Sequence, residues 1–121
     1  MAPAQRFLVV LAALMGASGV ALAAAGTHVG GGELARTASL FLILHAAALI
    51  AVCAHRAGPW PTLAGLALAA GAILFSADLA ARAFLGAKLF PYAAPTGGSL
   101  MILSWLALAL AFGLPRPAAP S

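Results

Sequence analysis

Charge is the scarcest property of this chain. Two carboxylates, Glu33 and Asp78, and six Lys or Arg residues are all that 121 positions carry, so charged residues amount to 7%. A globule in water needs many more polar side chains to cover its surface, which excludes that class. Cysteine is nearly as rare. Cys53 stands alone, ruling out an internal disulfide, and no Cys/His pair has zinc-site spacing, so no metal site is expected. Nor do the basic residues run together. The formal charge of +4 and a pI near 10.8 come from single Lys and Arg residues scattered along the sequence. Without a basic stripe, nucleic acid is not an expected partner; the expected partners of these charges are membrane lipids with anionic headgroups.

What the chain has instead is apolar length. Hydrophobic residues make up 64% and the mean hydropathy is +1.10. A transmembrane helix needs ~20 apolar residues, so four or five at most fit here, with no room for a soluble catalytic module. Four runs stand out. The expected helices cover about 7–26, 33–54, 60–82 and 96–113, with a disordered tail over 115–121 that contains Pro115, Pro117 and Pro120. The fold class is therefore all-α: a single membrane domain over 1–121, built as an integral bundle of four antiparallel transmembrane helices. The first run has the basic start (Arg6) and small-residue end of a signal peptide. It exceeds the usual ~7–15-residue apolar core of such peptides, so an uncleaved first helix is expected.

Small residues mark the faces where helices pack. Gly16 and Gly19, with Ala12 and Ala23, line one side of the first helix, Gly71 lies in the third, and Gly97 and Gly98 open the fourth. Each permits close backbone approach between membrane helices. The polar residues fall at two depths. His28, Glu33, Arg36, Ser76, Asp78 and Arg82 belong to the same end of an antiparallel bundle, which predicts a polar cluster there. Glu33 with Arg36 and Asp78 with Arg82 have one-turn spacing and are expected to pair. His45 lies at mid-span, level with Met15 or Gly16, Gly71, and Ser104 or Trp105. A histidine there is expected to face the bundle interior and bond a carbonyl or Ser104. Raw counts of Lys and Arg tie between the two sides. If Arg36 and Arg82 are held by acids, the free charges of Arg6, Arg56 and Arg116 place both termini in the cytoplasm.

The chemistry available is narrow. A haem would need two ligands at one depth, and His28, His45 and His55 lie at three different depths, so only His45 with a ligand from another subunit stays open. Gly16-Ala17-Ser18-Gly19 matches the G-x-S-G of rhomboid proteases. Four helices instead of six, and a histidine about a turn deeper than Ser18, argue against proteolysis. Asp78 as an ion or proton site is weighed against its pairing with Arg82 near the interface, where charge costs less.

Several short motifs stand in a shared order. Ala23-Ala24-Ala25-Gly26-Thr27-His28 takes the place of a Gly-Ala-Phe-Gly-Ala-His pattern, and His45-Ala46-Ala47-Ala48-Leu49 that of a second-helix histidine followed by small and apolar residues. Gly71, Phe75, Ser76, Ala77, Asp78 and Leu79 follow Gly-x-x-x-Phe-Ser-Gly-Ser-Leu. Ala94-Pro95-Thr96-Gly97-Gly98 follows Thr-Pro-x-Gly-Gly, and Ser104-Trp105 follows Gly-Trp. In these the chain resembles the domain of unknown function 423 family of small bacterial inner-membrane proteins, which has transmembrane-protein-256-like relatives in eukaryotes. Ala23, Thr27, Ala77, Asp78 and Ala94 depart from the pattern. The resemblance implies a multi-helix inner-membrane protein and brings no activity, substrate or cofactor.

The expected function is a structural or accessory subunit, non-enzymatic and without a cofactor, forming a homo-oligomer or packing into a larger membrane complex. The alternatives are an oligomeric transporter of ions or small molecules, and a redox subunit in which His45 contributes to a haem or quinone site.

Overall fold

Each apolar run becomes one helix. The computed structural model describes residues 1–55 and 58–115, and its helices are α1 (Pro3–His28), α2 (Gly32–His55), α3 (Pro59–Leu85) and α4 (Ala93–Gly113). All four are long and apolar enough to cross a membrane. The shortest, α4 with 21 residues, reaches ~31 Å at ~1.5 Å per residue, which matches a hydrocarbon core of ~30 Å. The expectations for Arg56 and for the tail from Arg116 onward lie outside the described residues.

Proline explains why α1 and α4 start earlier than their apolar runs. Pro3 opens α1, Pro59 opens α3, and Pro95 sits in the first turn of α4. A missing N–H costs nothing there, because the first four amides of a helix have no intrahelical partner. Glycine shapes the turns after α1 and α3. Gly30, Gly31 and Gly32 all have positive φ and turn the chain between α1 and α2, a conformation that side chains with a Cβ resist. Gly86 closes α3 in the left-handed region. The connection between α3 and α4 is therefore only residues 86–92, shorter than the Ala83–Pro95 loop that composition implied.

The helices do not form a closed ring. α2 and α3 lie at the centre, α1 runs along α2, and α4 runs along α3. α1 meets α3 near Leu8, which is fully buried and packs where a side chain on Gly65 would stand. Among the described residues, no Cα of α4 comes within 8 Å of a Cα of α1 or α2. The interior between them is built chiefly from leucine, alanine and methionine, including Leu8, Ala12, Met15, Leu49, Leu68 and Met101.

Two glycine contacts set the spacing. A Cβ on Gly97 would lie 2.7 Å from the Phe75 amide nitrogen and 2.8 Å from the Gly71 carbonyl oxygen; one on Gly71 would lie 2.9 Å from the Gly97 oxygen. α3 and α4 thus touch backbone to backbone. On the other side, a Cβ on Gly19 would meet Ile43 at 2.6 Å, and the Ser39 hydroxyl donates to the Gly19 carbonyl at 2.7 Å. Such contacts replace the hydrophobic force that lipid cannot supply between helices. Gly97→Ala is expected to push α3 and α4 apart and cost ~1–3 kcal/mol, since backbone atoms cannot swing aside. Gly98→Ala, whose Cβ would sit 3.9 Å from Phe75, is expected to change stability by less than ~0.5 kcal/mol. Reversible unfolding in mixed detergent micelles measures both.

Candidate functional site

The polar group that links helices at mid-span is His45, on the face of α2 that turns toward α3 and α4. It is buried, with 3% exposure. Its Nδ1 lies 2.7 Å from the Phe41 carbonyl oxygen one turn earlier, and its Nε2 lies 3.1 Å from Trp105 Nε1 on α4. Both partners have fixed roles. A carbonyl only accepts and an indole N–H only donates, so Nδ1–H donates to Phe41 and Nε2 accepts from Trp105. The ring is a neutral imidazole with both nitrogens engaged. An imidazolium would set an N–H against the indole N–H and lose that bond.

Aromatic rings extend this centre across three helices. Phe41 stacks on His45 with centroids 5.7 Å apart and planes 13° from parallel, and it meets Phe75 of α3 at 4.7 Å. His45 and Trp105 rings lie 5.7 Å apart at 58°. Ser104, the other expected partner, instead donates to the Leu100 carbonyl of its own helix at 2.7 Å. Gly71, level with His45 by sequence, faces Gly97 and Met101 of α4. Gly16 faces Ala46, where a Cβ would find ordinary contact at 3.7 Å.

The polar residues at the other depth divide into separate groups. Asp78 is fully buried, and both of its oxygens are used. Oδ2 accepts from Arg82 Nε at 3.0 Å, one turn along α3, and Oδ1 accepts from the Leu89 amide at 2.8 Å. The carboxylate thereby ties residues 86–92 back onto α3. Sequence spacing foresaw Arg82 but carries no signal for Leu89. Glu33 and Arg36 form a looser pair at 3.7 Å, with side chains 94% and 79% exposed, and contribute little. His28 is exposed at the end of α1. Among the described residues, no hydrogen bond or ion pair joins His28 or the Glu33–Arg36 pair to Asp78 and Arg82. Ser76 is 1% exposed, and among the described residues its hydroxyl has no hydrogen-bond partner, an arrangement that costs ~1–3 kcal/mol.

Among the described residues no three His, Cys, Asp or Glu side chains gather as a metal site would require. Ser18 lies on the exposed face of α1, whereas His45 is enclosed by Phe41 and Trp105, so the two are not a nucleophile and its base.

The model of the family described as a protein of unknown function (DUF423) matches residues 15–98. The chain belongs to this family. No solved structure matches it. The DUF423 match takes in the Ser39–Gly19 bond, the Gly71–Gly97 contact, the Asp78 tie and His45, and it ends before Trp105. The acceptor of the α2–α4 bond is inside the DUF423 segment and the donor is beyond it.

Replacing either side of that bond tests its strength. In a double-mutant cycle of His45→Phe and Trp105→Phe, followed by unfolding in micelles, the coupling is expected at ~0.6–1.7 kcal/mol, the range of interhelical membrane hydrogen bonds.

Proposed function

We propose that this DUF423 protein is a non-enzymatic structural or accessory subunit of the bacterial cytoplasmic membrane, associating through α1 with a second copy or a larger membrane complex. The observation that carries this reading is an unused small-residue face. Ala13, Ala17 and Ala21 recur at four-residue spacing on the side of α1 that points away from the bundle, and all three are exposed. Gly16 and Gly19, the more obvious packing residues, are turned inward against Ala46, Ser39 and Ile43. They support the fold, which leaves the alanine face for association, since small residues let a foreign helix approach closely.

The interior argues in the same direction. A haem iron or a quinone at His45 would have to displace Trp105 from Nε2 or Phe41 from Nδ1. Asp78 has both oxygens committed near one end of the bundle and offers no relay across ~30 Å of hydrocarbon. For orientation, we take both termini as cytoplasmic. Arg82 is held by Asp78 at 3.0 Å, which weakens the pull of the opposite side, while Arg6 is exposed beside the amino terminus.

Association is measured by counting subunits of labelled protein in liposomes at increasing protein density. The protein is expected to form dimers or higher species, and Ala17→Leu to weaken association about tenfold or more, equivalent to ~1.4 kcal/mol, without altering unfolding. A strict monomer at all densities, with no co-purifying partner in gentle detergent, would overturn the proposal.

A further inference from the structure

At one end of the bundle α3 and α4 are not level with each other. Gly97 fits between Gly71 and Phe75 of α3, so Ala93, the first residue of α4, stands beside about Ala77. α3 continues to Leu85, about eight residues farther, or ~12 Å at the helical rise. Residues 86–92 descend this step to reach α4. A buried group draws them down. Asp78 Oδ1 accepts from the Leu89 amide at 2.8 Å, which holds Leu89 at the level of Asp78, ~10 Å below the end of α3. The loop therefore folds back along the bundle, at the end that carries the α1–α2 turn, where the Phe84 ring lies against Gly31.

We propose that residues 86–92 are a membrane anchor, lodged in the phospholipid headgroup layer with Leu89 and Phe90 against the outermost acyl carbons, and that Asp78 is the latch that keeps them there. Depth identifies the occupant. α4 is ~31 Å long, so its first residue marks one edge of a hydrocarbon core of ~30 Å. The two headgroup layers together add ~10–15 Å, so each is narrower than the ~12 Å step. A loop that rose freely from Leu85 would clear the headgroups and enter water. Leu89, latched near the foot of the step, lies instead at the hydrocarbon edge. Leu89, Phe90 and Tyr92 are all exposed there, an apolar patch that suits lipid and not water.

Charge agrees with depth. Lys88, next to Leu89, is exposed and has no acidic partner among the described residues. Arg82 meets Asp78 through Nε and leaves 39% of its side chain exposed. Cations at this level attract headgroup phosphates, and a tyrosine is favoured there for its apolar ring and polar tip. The latch itself is shielded from both lipid and water, because Asp78 is fully buried. The anchor involves neither α1 nor its alanine face, so it stands apart from the association proposed for that helix.

Spin labels test this in the full chain, reconstituted into liposomes of phosphatidylethanolamine and phosphatidylglycerol. Lys88→Cys, Leu89→Cys and Phe90→Cys, made singly on a Cys53→Ala background, each carry a nitroxide. Its relaxation by oxygen and by a water-soluble nickel chelate gives the depth, and phospholipids labelled at the headgroup or along the chain set the scale. Labels at 89 and 90 are expected between the phosphate and the first few acyl carbons, and the label at 88 at the phosphate. Asp78→Ala, which removes both bonds of the latch, is expected to raise nickel access at position 90 several-fold. Leu89→Pro removes the amide donor while keeping the carboxylate, and replaces Asp78→Ala if that variant does not fold. Three results would overturn the proposal. They are labels at 89 and 90 that lie in bulk water, labels shielded from oxygen and nickel alike because a protein partner covers the loop, and depths that do not change when the latch is removed.

Discussion

Hydrocarbon offers no hydrogen bond, and that constraint governs where every polar atom of this protein goes. Backbone groups are satisfied within four helices, and the buried side chains follow the same rule almost without exception. Ser39 donates to Gly19, Ser104 to Leu100, and His45 uses both ring nitrogens. Asp78 uses both oxygens. Of these bonds, the one between His45 and Trp105 has the widest structural consequence. α4 reaches α2 by no backbone approach, and this side-chain bond spans the gap.

Two kinds of contact divide the work of holding the bundle. Where glycines stand, at Gly19 and at the Gly71–Gly97 pair, helices meet backbone to backbone and their spacing is fixed by atoms that cannot move aside. Where large rings stand, at Phe41, His45, Phe75 and Trp105, helices are joined through their side chains, and α2 and α4 are joined in this way alone among the described residues. α4 experiences both. It is pressed onto α3 near its amino-terminal end and joined to α2 at mid-span through the His45–Trp105 pair.

Much of this was legible in the sequence. Four apolar runs of spanning length fix the helix count, and the one-turn spacing of Asp78 and Arg82 fixes their pairing. The depth match between His45 and the Ser104–Trp105 pair also follows from an antiparallel arrangement at constant rise. What sequence does not carry is helix rotation and loop return. Ser104 and Trp105 are adjacent, yet they point about 100° apart around α4, and only the assembled rotation selects the indole as the partner of His45. The Leu89 amide is a backbone group, invisible to any reading of side-chain types, so Asp78 reads in sequence only as the partner of Arg82, whereas it also anchors a loop. Gly16 and Gly19 illustrate the same limit. Their spacing marks a packing face, but not whether that face meets the chain's own α2 or a foreign helix.

The central claim is that His45 is a structural link, neutral, protonated on Nδ1 and accepting from Trp105 at Nε2. Solid-state NMR of ¹⁵N-labelled histidine in lipid bilayers measures this directly. The account predicts, at neutral pH, one ring with a protonated Nδ1 and an unprotonated, hydrogen-bonded Nε2, whose Nε2 signal shifts in Trp105→Phe. An Nε2–H tautomer, an imidazolium, or an Nε2 signal that does not respond to loss of the indole would contradict it.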